Sequence, residues 1–161
     1  MIIPSTGEVS FPDGLRITAH STMAPLLDAV PSGMVSTRSL PVPGWNRHIL
    51  GEHTASYGAF TVEVVTGSEH RVEGVFLSHS HLFYLASTPE DSERRAFHEG
   101  IIASDLRGQR EFSWGHVFCR LETQHNRDWL VVIYSPFCSV PLHQREVYRV
   151  LIAHEPTPSA S

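Results

Sequence analysis

The clearest alternation of apolar and polar positions runs through Gly58-Ala59-Phe60-Thr61-Val62-Glu63-Val64-Val65, with Phe60, Val62 and Val64 on one side. A period of two predicts a half-buried β-strand. Thr66-Gly67-Ser68-Glu69 supplies a turn, and His70 to His79 returns as a strand with Val75, Leu77 and His79 on one face and Phe76 on the other. His48 to His53 is a candidate strand ahead of this pair. Between Phe112 and Tyr134, two runs rich in aromatic and β-branched residues flank Thr123-Gln124-His125-Asn126-Arg127, the signature of a β-hairpin on which a core should form. In its first run Trp114, His116, Phe118, Arg120 and Glu122 share one face, while Gly115, Val117, Cys119 and Leu121 share the other. The small aliphatic face should lie against helices. The mixed face should lie either beneath a loop carrying Trp45 or against a partner.

Helical spacing occurs twice. Met23, Leu26, Leu27 and Val30 form one apolar stripe, capped by Ser21 or Thr22, with Pro25 in the first turn and Pro31-Ser32-Gly33 as the stop. Thr88-Pro89-Glu90-Asp91 opens a second helix with a cap, a proline at its first position and acids at the positive dipole end. It should run to about Leu106, with Gly108 near its end. Phe97 with Ile101, and Ile102 with Leu106, predict a broadly buried C-terminal half, whereas Glu93, Arg94 and Arg95 are expected in solvent. Glu8 to Thr18 reads as two short strands around Pro12-Asp13-Gly14. Two prolines and a glycine exclude a regular interior element between 34 and 46. Val147 to Ala153 reads as a last strand. The expectation is one α+β domain over 1–154, an antiparallel sheet of about five to seven strands with two helices packed on one face, followed by a disordered tail at 155–161.

Bulk properties narrow the classes. A chain of 161 residues can bury its own core, and 18% charged residues is a little low for a globular protein. The net charge of −5 argues against a nucleic-acid face, which would be basic. No apolar run reaches the roughly 18 residues of a membrane span, and the N-terminus carries no secretory pattern, so a cytoplasmic protein is expected. Cys119 and Cys138 are too few for a thiolate metal site of their own.

Eleven histidines make metal or proton chemistry the first candidate to weigh. His79 and His81, two apart at a strand end, project to one side as paired imidazoles do in zinc hydrolases. In the metallo-β-lactamase-like pattern an aspartate and a further histidine follow at once, and here Leu82-Phe83-Tyr84 stands in those places. A metal-binding protein or metal-dependent hydrolase on His79 and His81 is therefore the alternative reading. No serine lies in a Gly-x-Ser-x-Gly elbow, the glycines do not cluster into a phosphate loop, and Cys119 and His116 share a strand but not a face. The leading expectation is a non-enzymatic binding protein without cofactor, metal, nucleic acid or membrane as ligand. Its partner surface would comprise Trp45, Trp114, His116, Phe118, Arg120 and Glu122, residue types that anchor interfaces.

Pro43-Gly44-Trp45, Gly58-Ala59-Phe60, Trp114-Gly115-His116-Val117 with the acidic Glu122, and Val131-Val132-Ile133-Tyr134 together resemble the immunity proteins of polymorphic and contact-delivered bacterial toxin systems. The resemblance spans residues 40 to 135. It implies a small cytoplasmic α+β protein whose partner is a cognate protein toxin, neutralised by direct binding.

Overall fold

The computed structural model describes residues 1–31, 35–40, 43–67, 69–80, 92–122 and 127–134. Among them, seven strands build one antiparallel sheet. Its order is β3 (Ser36–Ser39), β4 (Asn46–Ala55), β5 (Gly58–Thr66), β6 (Val72–His79), β9 (Arg127–Tyr134), β8 (Gly115–Glu122) and β7 (Glu111–Phe112). A separate hairpin joins β1 (Val9–Ser10) to β2 (Arg16–Ile17), and the helices are α1 (Met23–Ala29) and α2 (Ser92–Asp105). The class is α+β, as the alternation implies. The central hairpin pairs from Gly115 with Tyr134 to Glu122 with Arg127.

The main core lies on the inner face of the sheet. It joins Phe60, Val62 and Val64 of β5 and Val75 and Leu77 of β6 to Met23 and Leu26 of α1 and Ile101 and Ile102 of α2. Val117 belongs to it and Cys119 packs against it, so that side of β8 faces the helices. A smaller cluster on the outer face gathers Trp45, Val65, Phe76, Trp129, Val131 and Ile133, with Phe118 against it. After α2, Arg107 (φ 54°) and Gly108 (φ 78°) turn the chain back, and the Gly108 N–H donates to the Ile102 carbonyl at 3.0 Å.

Four local expectations are corrected. Trp114 does not share a face with His116, Phe118, Arg120 and Glu122. It occupies the turn between β7 and β8, where strand alternation does not apply, and its ring is buried against the N-terminal segment. The indole donates to the Pro4 carbonyl at 2.8 Å and stacks on Phe112 at 4.6 Å. Gly7 (φ 71°) lies under it, where a Cβ would come within 2.4 Å of the ring. Leu27 is 43% exposed, because it sits about 100° round the helix from Leu26 while Met23, Leu26 and Val30 take the core. The stretch expected to be irregular contains β3, an edge strand. Such a strand needs one neighbour only, and prolines outside its four residues do not interrupt it. Arg94, expected in solvent, is 1% exposed. The start of the second helix at Thr88 to Asp91, the strand at 147–153, the tail at 155–161, His81 and Cys138 lie outside the described residues.

Candidate functional site

Two polar constellations flank the sheet. The inner one begins on α2, where Arg94, His98 and Ile101 fall at i, i+4 and i+7 and form its buried line. On β9, parity puts Asp128 on the same face as Leu130, Val132 and Tyr134, so a carboxylate enters the core and needs partners there. His98 supplies one: its Nδ1 lies 2.9 Å from Asp128 Oδ2. The other ring nitrogen, Nε2, accepts the backbone N–H of His79 at 3.2 Å, which assigns the proton to Nδ1 and makes His98 the donor to Asp128. Arg95 donates to the second carboxylate oxygen at 2.5 Å. The ladder from β6 to β9 ends at Leu77, and beyond it the helix side chains take over the backbone of β6. His98 accepts the His79 N–H, and Arg94 Nε donates to the His79 carbonyl at 3.0 Å.

His98, Cys119 and Asp128 place an imidazole, a thiol and a carboxylate within 4.8 Å of one another, donor types that zinc accepts. Their present contacts oppose that use. Both imidazole nitrogens are engaged, and Arg95 holds Asp128. Burial, with the nearby Glu99 and Asp128 carboxylates, pushes the Cys119 thiol far up, away from the thiolate that a metal or a nucleophilic step requires. His79, half of the sequence-derived imidazole pair, donates from Nε2 to the Tyr57 carbonyl at 3.0 Å and packs on Phe97 with ring centroids 4.4 Å apart.

The outer constellation is centred on Arg47 of β4. Its guanidinium lies 4.7 Å from the Phe76 ring and 5.2 Å from the Trp129 ring, and Arg127 covers Trp129 at 5.3 Å. Arg47 Nε donates to Glu63, and Arg47 Nη1 lies 3.8 Å from Glu122, whose other oxygen accepts the Trp129 indole N–H at 3.0 Å. The Arg47–Glu122 contact reports the shape of the sheet. Arg47 stands in the row of Val65, Gly74, Ile133 and His116, and Glu122 lies further along β8 across four strand spacings. In a flat sheet, at about 4.8 Å per strand and about 3.3 Å per residue, these residues would stand more than ~20 Å apart. Strand twist brings the two corners together over the outer face and makes it concave along that diagonal. The resulting groove of about 350 Å³ is lined by Arg38, Arg47, Glu63, Glu122, Arg127 and Trp129, with Ile49.

The six sequence-derived partner residues separate. Phe118 packs on the outer cluster, Glu122 lines the groove, and Arg120 pairs across from Trp129. His116 holds the far end of that face, with its Nδ1 3.8 Å from Glu111. Trp45 is buried in the outer cluster, and Trp114 is buried on the inner side. Sequence reasoning missed Arg38, Arg47, Glu63, Arg127 and Trp129. The pairing of the central hairpin carried a signal for the last: once Glu122 pairs with Arg127, Trp129 falls beside Arg120.

No family model matches the chain, and no curated protein matches it. Among solved structures, one chain of the complex described as "Rhs1-CT in complex with cognate immunity protein RhsI1" superposes with a TM-score of 0.55. The match covers 94% of this chain and 94% of that one at 13% identity, a likeness of fold.

Proposed function

We propose that the chain is a non-enzymatic, immunity-type protein of the bacterial cytoplasm that neutralises a cognate toxin by binding it directly. The observation that carries this reading is the outer face. It is concave, its aromatic and arginine side chains are fixed by stacking and ion pairing, and its groove opens to solvent. Rigid aromatic and arginine groups of this kind anchor protein interfaces at small entropic cost. The inner constellation supports the same reading from the other side, because its imidazole nitrogens and carboxylate are engaged within the chain. The fold likeness to a component of a toxin–immunity complex agrees with it.

Co-expression provides the test. A toxin encoded beside this chain should arrest growth when expressed alone and permit growth when the chain is present, and the two should co-purify. Continued arrest with both proteins present at equal amounts would remove the reading.

A further inference from the structure

We propose that the toxin adds an extended segment to the open edge of β3, pairing main chain to main chain with Thr37 and Ser39 and lengthening the sheet by one strand. The inference rests on the toxin-binding reading and names the chemistry of the contact.

Register decides which backbone groups are available. The Leu40 N–H donates to the Trp45 carbonyl at 2.9 Å, one step beyond the pair of Ser39 with Asn46. Backbone direction alternates along an antiparallel strand, so Ser36, Arg38 and Leu40 address β4 while Thr37 and Ser39 turn their N–H and C=O groups outward. Among the described residues, β3 pairs with β4 alone and nothing answers those outward groups. They stand about 7 Å apart, the spacing at which every second residue of an extended segment presents the matching groups.

This edge is also accessible and held in place. All four residues of β3 are exposed, and they alternate between the two faces, so an added strand has room for its side chains on both. Burial does not anchor β3, but side chains do. Thr37 Oγ1 meets His48 Nδ1 at 2.9 Å, His48 Nε2 meets Thr66 Oγ1 at 2.9 Å, and Ser39 donates to Asn46 Oδ1 at 3.3 Å. A strand fixed before binding loses little further conformational freedom when a partner arrives. Arg38 pairs with Arg47 and lines the groove, so the added strand borders the face that carries the functional reading.

A second copy of the chain is the competing occupant. Pairing two β3 strands through both outward residues, Thr37 of one with Ser39 of the other, sets Arg38 directly opposite Arg38. Like charges facing one another across a strand pair are destabilising. A toxin strand without a cation at that position avoids the repulsion.

Amide exchange followed by NMR tests the pairing on the wild type. In the free chain, the amides of Thr37 and Ser39 should exchange faster than that of Arg38, which addresses β4. In the toxin complex, Thr37 and Ser39 should slow at least tenfold and Arg38 should change less. Unchanged rates at Thr37 and Ser39, or equal slowing at all three amides, overturn strand addition while leaving the toxin reading intact. A free chain that sediments as a dimer and already protects both outward amides assigns the edge to a second copy and overturns the proposal. Absence of toxin binding removes this inference and the toxin reading together. Titration calorimetry adds an independent reading. Ser39→Pro and Ser39→Ala both lose the hydroxyl, but only the proline removes the outward N–H, and neither removes a bond of the β3–β4 ladder. Ser39→Pro should bind the toxin at least tenfold more weakly than Ser39→Ala, and binding within twofold overturns the proposal. Should the proline loosen β3, the exchange pattern of the wild type decides alone.

Discussion

An arginine, glutamates or an aspartate, and an aromatic environment occur on both faces of this sheet, and the two faces use them differently. On the inner face, Asp128 is fully buried and receives His98 on one oxygen and Arg95 on the other, while His98 also accepts a backbone N–H. The cluster is closed, and it joins α2 to β6 and β9. On the outer face, Arg47 is held between rings with two carboxylates nearby, but the groove around it opens to solvent and Arg38 stands exposed at its edge. The difference lies in desolvation. A charge taken wholly out of water persists only if every strong hydrogen-bonding site is answered from within. Groups at a groove keep some water and can exchange it for a partner's atoms.

Removing Asp128 gives the largest expected effect. Asp128→Ala leaves His98 without its acceptor and Arg95 without its counter-ion, and breaking a buried pair in this way costs about 3–5 kcal/mol. Urea denaturation measures it through the midpoint at unchanged slope. A loss under about 1 kcal/mol would mean that the inner cluster behaves as a surface pair does, and the contrast between the faces would collapse. Arg47→Met comes second. It removes two ring contacts and takes Arg47 from the buried Glu63 and from Glu122, which keeps part of its surface in water, so the loss should be about 1–3 kcal/mol, between the surface and buried limits. If Arg47→Met destabilises more than Asp128→Ala does, the outer face is the closed one.

Strand periodicity made most of the sheet legible. Phe60, Val62 and Val64 fell on the core face as their alternation requires, and the long hairpin paired as its composition implies. Turns and ends were harder to read. Trp114 was assigned by parity that stops one residue short of it, and Leu27 by a stripe wider than a seven-residue helix can bury. Arg94 and His98 were legible in principle, since they share a helical line with Ile101, but charge and polarity argue for solvent until a carboxylate and a backbone carbonyl are known to wait inside. Glu122 was assigned from the sequence, but the groove that it lines was not. It depends on twist bringing β4 toward β8, and no local pattern records how far the corners of a sheet approach.

The smallest expected effect concerns how the outer groove keeps its edge. His48 bridges β3 and β5 by side chain alone, with Nδ1 2.9 Å from Thr37 Oγ1 and Nε2 2.9 Å from Thr66 Oγ1. Burial, and then the nearby His70, lower its pKa below the ordinary histidine value of 6.5. The folded state therefore binds this proton less readily than the unfolded chain does, so stability is full above about pH 6.5 and is lost as pH falls from there toward the folded value. Protonation also turns both ring nitrogens into donors, which removes the acceptor that one threonine hydroxyl uses. Because Arg38 sits next to Thr37, loosening β3 moves a groove residue while Asp128 and His98 stay in place. Hydrogen exchange at the amides of the β3–β4 ladder should accelerate between pH 7.5 and pH 5.5, after correction for the intrinsic rate, while the β8–β9 ladder keeps its protection. His48→Gln, which can hydrogen-bond both threonines at any pH, should abolish the selective change. Equal acceleration in both ladders would place the acid sensitivity in the sheet as a whole and separate it from the groove.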